Sequence, residues 1–152
     1  MSSLSKKGLF SFLLLLSLAS CNRKKIITQA QSDDNAINNY LTSNKLTATK
    51  TGDGLYYIIS TPGTGAQPSL SSFVTISYSG YLTNGTVFDS NKNFETQMGS
   101  VIKGWQEGIP LFKKGGAGKL LIPSALGYSA TATGNIPANS VLIFDVQLLD
   151  VK

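Results

Sequence analysis

Residues 101 to 108 read Val101-Ile102-Lys103-Gly104-Trp105-Gln106-Glu107-Gly108, a short helix after a glycine-led turn, carrying the only tryptophan of the chain. Val101, Ile102, Trp105 and Ile109 recur at roughly helical spacing, so one side of the segment is apolar. The first three or four amides of any helix lack an internal partner and are free to hydrogen-bond a ligand. On spacing alone, a single tryptophan on such a face is either core filler or the floor of a pocket. Its neighbours in the sequence decide for the floor.

Upstream lie Tyr78, Val87-Phe88-Asp89-Ser90 and Phe94; downstream lie Ile122-Pro123, Tyr128, Ile136-Pro137 and Leu142-Ile143-Phe144-Asp145-Val146. Five pieces in this order resemble the FKBP family of peptidyl-prolyl cis-trans isomerases. They are Tyr78-Ser79-Gly80-Tyr81-Leu82, Gly85-Thr86-Val87-Phe88-Asp89-Ser90, Val101-Ile102-Lys103-Gly104-Trp105, Leu121-Ile122-Pro123 and Leu142-Ile143-Phe144-Asp145-Val146, within a stretch from about Gly54 to Lys152. The resemblance implies an α+β domain in which a twisted antiparallel β-sheet wraps around one short central α-helix, with a cavity between them. It implies that Tyr78, Phe88, Phe94, Val101, Trp105, Ile136 and Phe144 bind substrate in a proline-sized cavity, with Trp105 beneath the ring. As catalytic residues it implies Ile102 as an amide donor, Tyr128 as a hydroxyl donor, and Asp89 at the pocket edge, polarising the bound carbonyl or orienting its neighbours. Spacing does not separate cavity lining from core packing for Phe88, Phe94 and Phe144. A carboxylate such as Asp89 also serves as a turn cap or an ion-pair partner. Three features depart from the family pattern: Thr96 where a bulky residue is common, a short turn from Gly99 to Val101, and Ser129 after Tyr128 where glycine is usual. These bear on substrate preference and rate more than on fold.

The residue pattern leads to the same fold class. Gly54 to Ser60 reads as a first strand closed by Thr61-Pro62-Gly63-Thr64-Gly65. From Phe73 to Leu82, Val74, Ile76 and Tyr78 share one face while Thr75, Ser77 and Ser79 share the other, which specifies a half-buried strand. Asn84-Gly85 predicts a type I′ hairpin turn into Val87-Phe88-Asp89. A short loop after Phe94 leads to the central helix, which Pro110 should kink or end. Lys113 to Lys119 turns into a strand from Lys119 to Ile122, and Ser124 to Ser140 is irregular. The last strand, Val141 to Val151, places Leu142, Phe144, Val146 and Leu148 on one face. Strands followed by one short helix and a final strand make an α+β domain.

Two amino-terminal segments fall outside this domain, which is expected over 52–152. Residues 1–20 open with Lys6 and Lys7, run through an apolar stretch from Leu9 to Leu18 and finish on small residues, the pattern of a secretory signal. The stretch is far short of the roughly 20 residues that cross a bilayer as a helix. Leu18-Ala19-Ser20-Cys21 resembles a bacterial lipobox, which implies cleavage before Cys21 and lipid on its thiol; an ordinary secreted protein with a stray cysteine is the alternative. Residues 21–51 then form a lipid-anchored tether, rich in Asn, Thr, Gln, Ser and Lys. Within it Ile37, Tyr40 and Leu41 stand at helical spacing behind Ser32 or Asp33 as a possible N-cap, so a short helix is expected to dock on the domain, or else to contact another chain.

Charge divides the chain. Of 13 Lys and Arg, seven precede Gly52 against only Asp33 and Asp34, while from Asp53 onward six lysines meet six carboxylates. The domain is formally neutral and offers no basic face for nucleic acid. Arg23-Lys24-Lys25 beside a lipid suits anionic headgroups and equally suits a solvated linker. Asn22 after the cysteine is not the aspartate associated with inner-membrane retention, so outer-membrane or periplasmic-face placement in a bacterial envelope is expected. The chain has no histidine, and its one cysteine is assigned to lipid, which excludes histidine-dependent nucleophilic catalysis and histidine metal sites. Lys113 and Leu120 break the glycine and Ser/Thr positions that a phosphate loop around Gly115 to Lys119 requires. No cofactor is called for. Rotation about a prolyl bond needs no acid, base or nucleophile, which fits the function the resemblance implies, isomerisation of Xaa-Pro bonds in exported polypeptides, expected of a monomer. The alternative is a non-catalytic chaperone or scaffold that holds proline-containing segments.

Overall fold

The structure, a computed structural model, describes residues 27–152; residues 1–20, expected to be a leader, and Cys21 and Arg23-Lys24-Lys25 lie outside the described residues. Its elements are α1 (Gln29–Ser43), β1 (Thr49–Lys50), β2 (Tyr56–Thr61), β3 (Phe73–Leu82), β4 (Val87–Gln97), α2 (Lys103–Gly108), β5 (Ala117–Ile122) and β6 (Leu142–Val151). Single 3₁₀ turns stand at Met98–Ser100, Ile109–Leu111 and Ser124–Leu126. The six strands form one sheet in the order β1-β2-β5-β6-β3-β4, every neighbour antiparallel. One antiparallel sheet with a short helix is the α+β architecture expected from the sequence.

Alternation along β6 explains how both faces of the sheet come to be covered. Leu142, Phe144, Val146 and Leu148 enter a core with Trp105, Ile109 and Phe112, while Ile143 enters a second core with Ile37 and Leu41 of α1. On the first face α2 comes close because Gly104 and Gly108, one turn apart, face β5. A Cβ at Gly104 would stand 2.4 Å from Ile122, and one at Gly108 would stand 2.7 Å from Leu120. Pro110 lies in the 3₁₀ turn directly after α2, where its missing amide stops further helix.

Several elements differ from expectation. The short helix expected within the tether is present as α1 and docks on the sheet, as expected, whereas β1, which pairs with β2, was not foreseen. Ile37 is fully buried, which by itself is worth about 1.5–3 kcal/mol. The helix has Thr28 as its N-cap, four or five residues before the expected Ser32 or Asp33. The Thr28 hydroxyl accepts from Gln31 N at 3.3 Å and Gln31 Oε1 accepts from Thr28 N at 3.0 Å, a capping box. It ends in a Schellman motif: Leu46 N donates to Leu41 O at 2.8 Å, and Lys45 takes the left-handed conformation at φ 55°. Leu46 and Leu41 then meet in the second core.

The hairpin after β3 is not type I′. Gly85 N donates to Leu82 O, Leu82 N donates to Thr86 O, both at 2.9 Å, and of the turn residues only Gly85 has positive φ. This is a three-residue loop, a type I turn followed by a glycine bulge. β4 also runs on to Gln97 in place of the expected loop after Phe94. It is the sheet edge, polar and largely exposed, so its pairing with β3 holds it where side-chain alternation gives no sign.

Candidate active site

The cavity opens between β3, β4, α2 and the loop after β5. All ten residues expected around it, Tyr78, Phe88, Asp89, Phe94, Val101, Ile102, Trp105, Tyr128, Ile136 and Phe144, line a single space of about 500 Å³. Ser100, Thr133, Gly134 and Asn135 complete the wall. Sequence reasoning missed these four because small polar loop residues carry no periodic signal. Their adjacency to Val101 and Ile136 was the one hint.

The floor is built by aromatic edges. Trp105 is 4% exposed and meets Tyr78 at 5.0 Å between centroids and 86° between planes, and Phe144 at 5.2 Å and 78°. Phe94 stands 5.7 Å from Tyr78, and Phe88 stands 5.5 Å from Phe144, both edge to face. This arrangement sets the positive edge of one ring against the negative face of the next. Trp105 Nε1 is buried with no hydrogen-bond partner among the described residues, so the floor presents apolar surface and no reachable donor.

Polar groups are confined to the rim. Tyr78 Oη donates to Asp89 Oδ2 at 2.5 Å. Burial, and then the Asp89 carboxylate, push the Tyr78 hydroxyl well above the usual tyrosine range, so it remains a donor. Asp89 itself is exposed; it is neither an ion-pair partner nor a turn cap among the described residues. Tyr128 is 38% exposed at the mouth.

Val101 and Ile102 are not helical, in contrast to the expected helix over 101–108. Val101 is extended and Ile102 is the N-cap of α2, at φ −59° and ψ 151°. Gln106 reaches back from the helix, its Nε2 donating to Val101 O at 2.8 Å and to Gly99 O at 3.3 Å. That clamp fixes the short turn. Among the described residues the Ile102 amide has no acceptor, and as an N-cap group it is free to serve a ligand.

An aromatic-floored cavity with two or three donors at its rim is the site of an FKBP-type fold. The model of the family described as FKBP-type peptidyl-prolyl cis-trans isomerase matches residues 65–149, and the chain belongs to this family. It is 41% identical over 140 residues to the FKBP-type peptidyl-prolyl cis-trans isomerase FkpA of Buchnera aphidicola subsp. Schizaphis graminum, covering 86% of this chain and 56% of that protein. It is 42% identical over 106 residues to FK506-binding protein 1 of Dictyostelium discoideum, covering 65% of this chain and 99% of that protein. The crystal structure of FkpA from Escherichia coli superposes with a TM-score of 0.73 at 35% identity, over 82% of this chain and 61% of that one. The chain spans about half the length of the FkpA relatives it matches.

Proposed function

We propose that this chain is a peptidyl-prolyl cis-trans isomerase that accelerates Xaa-Pro rotation in exported polypeptides. The observation that carries this is the cavity, whose floor is wholly aromatic and whose polar groups stand only at the rim. Rotation about a peptide bond has a barrier of roughly 18–20 kcal/mol that comes from lost resonance. A planar amide is more polar than a twisted one. An apolar floor therefore disfavours the ground state relative to the transition state, and only such differential interaction accelerates the step. The proline ring sits over Trp105 between Tyr78, Phe94 and Phe144. The Ile102 amide and the Tyr128 hydroxyl donate to the carbonyls flanking the proline and hold the twist. Asp89, fixed by the Tyr78 hydroxyl, orients the carbonyl at the edge.

Export and lipid attachment through Cys21 are supported by the leader pattern and by the lipobox-like Leu18-Ala19-Ser20-Cys21. Among the described residues no helix is long and apolar enough to cross a membrane. The substrates are then proline-containing segments of polypeptides on the outer side of a bacterial inner membrane.

The test is the cis-to-trans rate of Xaa-Pro peptides with the full chain, compared with Asp89→Val and Phe144→Tyr. Acceleration that falls in either variant, with folding intact, supports isomerisation at this cavity. No acceleration by the folded protein across several Xaa residues overturns it and leaves a module that binds proline-containing segments.

A further inference from the structure

One buried carboxylate has no part in the reaction as described. Asp33 of α1 is 3% exposed, and its partners are all neutral. Its Oδ1 accepts from Gln29 Nε2 at 2.6 Å, and its Oδ2 accepts from Ser124 N at 2.8 Å and from Ser124 Oγ at 2.6 Å. A carboxylate taken out of water is costly unless its lone pairs are matched. Docking of α1 does not require it, since Ile37 and Leu41 already bury apolar surface. What a carboxylate adds is a fixed position for Ser124, which is itself 2% exposed.

Ser124 is the peg from which one cavity wall hangs. Its carbonyl accepts from Gly127 N at 3.0 Å and from Ser129 N at 2.8 Å, the residues on either side of Tyr128. Ser129 O accepts in turn from Asn139 N at 2.7 Å, closing the base of the loop. Inside that closure Thr133 and Ile136 exchange backbone bonds at 2.9 Å each. Tyr128, Thr133, Gly134, Asn135 and Ile136, five cavity-lining residues, are therefore suspended from a serine held by a helix 91 positions away in sequence.

We propose that Asp33 is a positioning residue for the isomerase pocket: it fixes Ser124, and through Ser124 the wall from Tyr128 to Ile136. Occupancy of the cavity then depends on a helix that lies outside the 65–149 segment matched by the family model. The kinetic part of this inference rests on the isomerase reading.

The experiment compares the full chain with Asp33→Ala, Asp33→Asn, Ser124→Ala and Tyr40→Phe. Asparagine keeps an oxygen acceptor for Ser124. Tyr40→Phe removes a different hydrogen bond of α1 to the sheet, at Tyr81, and leaves Ser124 alone. The readouts are kcat and KM on an Xaa-Pro peptide below every melting temperature, and amide exchange at Gly127 and Ser129. Asp33→Ala should lower kcat/KM about tenfold, mostly through KM, and speed exchange at both amides about tenfold or more, because it strands two buried donors. Asp33→Asn should stay within about threefold of the parent and Tyr40→Phe should match it. A folded Asp33→Ala chain with unchanged exchange and kcat/KM overturns the proposal, as does equal loss in Tyr40→Phe or no rescue by Asn. If Asp33→Ala does not fold, Ser124→Ala, which loses only the hydroxyl bond, carries the same comparison. If the parent chain shows no isomerisation, the functional reading falls and exchange at Gly127 and Ser129 still decides the positioning.

Discussion

Gly80→Ala tests the description of the cavity most directly. Gly80 lies on β3, on the same face as Tyr78, and is paired across the sheet with Asp89 on β4 and Phe144 on β6. A Cβ there would stand 2.6 Å from Phe88 Cε2, 2.7 Å from Phe144 Cε1 and 2.8 Å from Phe88 Cζ, where carbon atoms prefer about 3.5–4.0 Å. Each ring must yield by about 1 Å. β3 is held on both sides and cannot retreat, so the rings move, and the space in front of them is the cavity. Overpacking of this kind costs about 1–3 kcal/mol, and the smaller unfolded-state entropy of alanine returns about 0.4–1 kcal/mol. The net loss is about 1–2 kcal/mol, a fall in melting temperature of about 3–8 °C. Misplacement by about 1 Å in a reacting site costs on the order of a hundredfold, so kcat/KM on an Xaa-Pro peptide should fall about 10- to 100-fold. Thermal melting and the peptide assay check both numbers. An alanine variant with the parent's melting temperature and kcat/KM within about twofold would refute the claim that these rings close-pack against β3.

Tyr78→Phe removes the donor that holds Asp89; because Asp89 is exposed, stability should change by less than about 1 kcal/mol while kcat/KM falls about three- to tenfold. In the parent chain the raised Tyr78 hydroxyl stays protonated past the ordinary tyrosine range, so the pH–rate profiles of the parent and of Tyr78→Phe should keep the same shape through pH 10, the unperturbed tyrosine value; a loss there in the parent that Tyr78→Phe abolishes would refute this. Ser129 takes a left-handed φ of 53°, where glycine is unstrained, so Ser129→Gly should raise stability by about 0.5–1 kcal/mol in a denaturant titration. Asp34 is held below its ordinary pKa by hydrogen bonds from Lys50 and Tyr56. Its contribution is complete above the unfolded value of about 3.9 and is lost as pH falls through the lower folded value. Asp34→Asn should therefore destabilise the chain at neutral pH and reduce the steepness of its acid unfolding below about pH 4.

Elements whose cause lies within a few residues were legible in the sequence. β3 was read with its observed bounds, Phe73 to Leu82, because one face is buried and the other is not. β6 was read within a residue, and the aromatic members of the cavity were found because the order of their motifs survives without coordinates. What escaped was set by distant partners. α1 was legible from Ile37, Tyr40 and Leu41, but its start was not, and its most informative residue, Asp33, is a carboxylate whose partner is 91 positions on. The rim pair of Tyr78 and Asp89 is likewise invisible in the pattern, since it is made across β3 and β4. The hairpin was misread because Asn84-Gly85 suits two turn types, and the choice between them is made by strand register.

The lone indole has an optical consequence. Trp105 is the only tryptophan in the chain and stands at the cavity floor, so every photon of tryptophan emission originates where a ligand would land. A ring settling over it changes the local field felt by the excited state, and the colour and yield of that emission then count occupied molecules one for one. The protein carries its own gauge of occupancy, readable without a label, and a titration needs only ultraviolet light and a peptide.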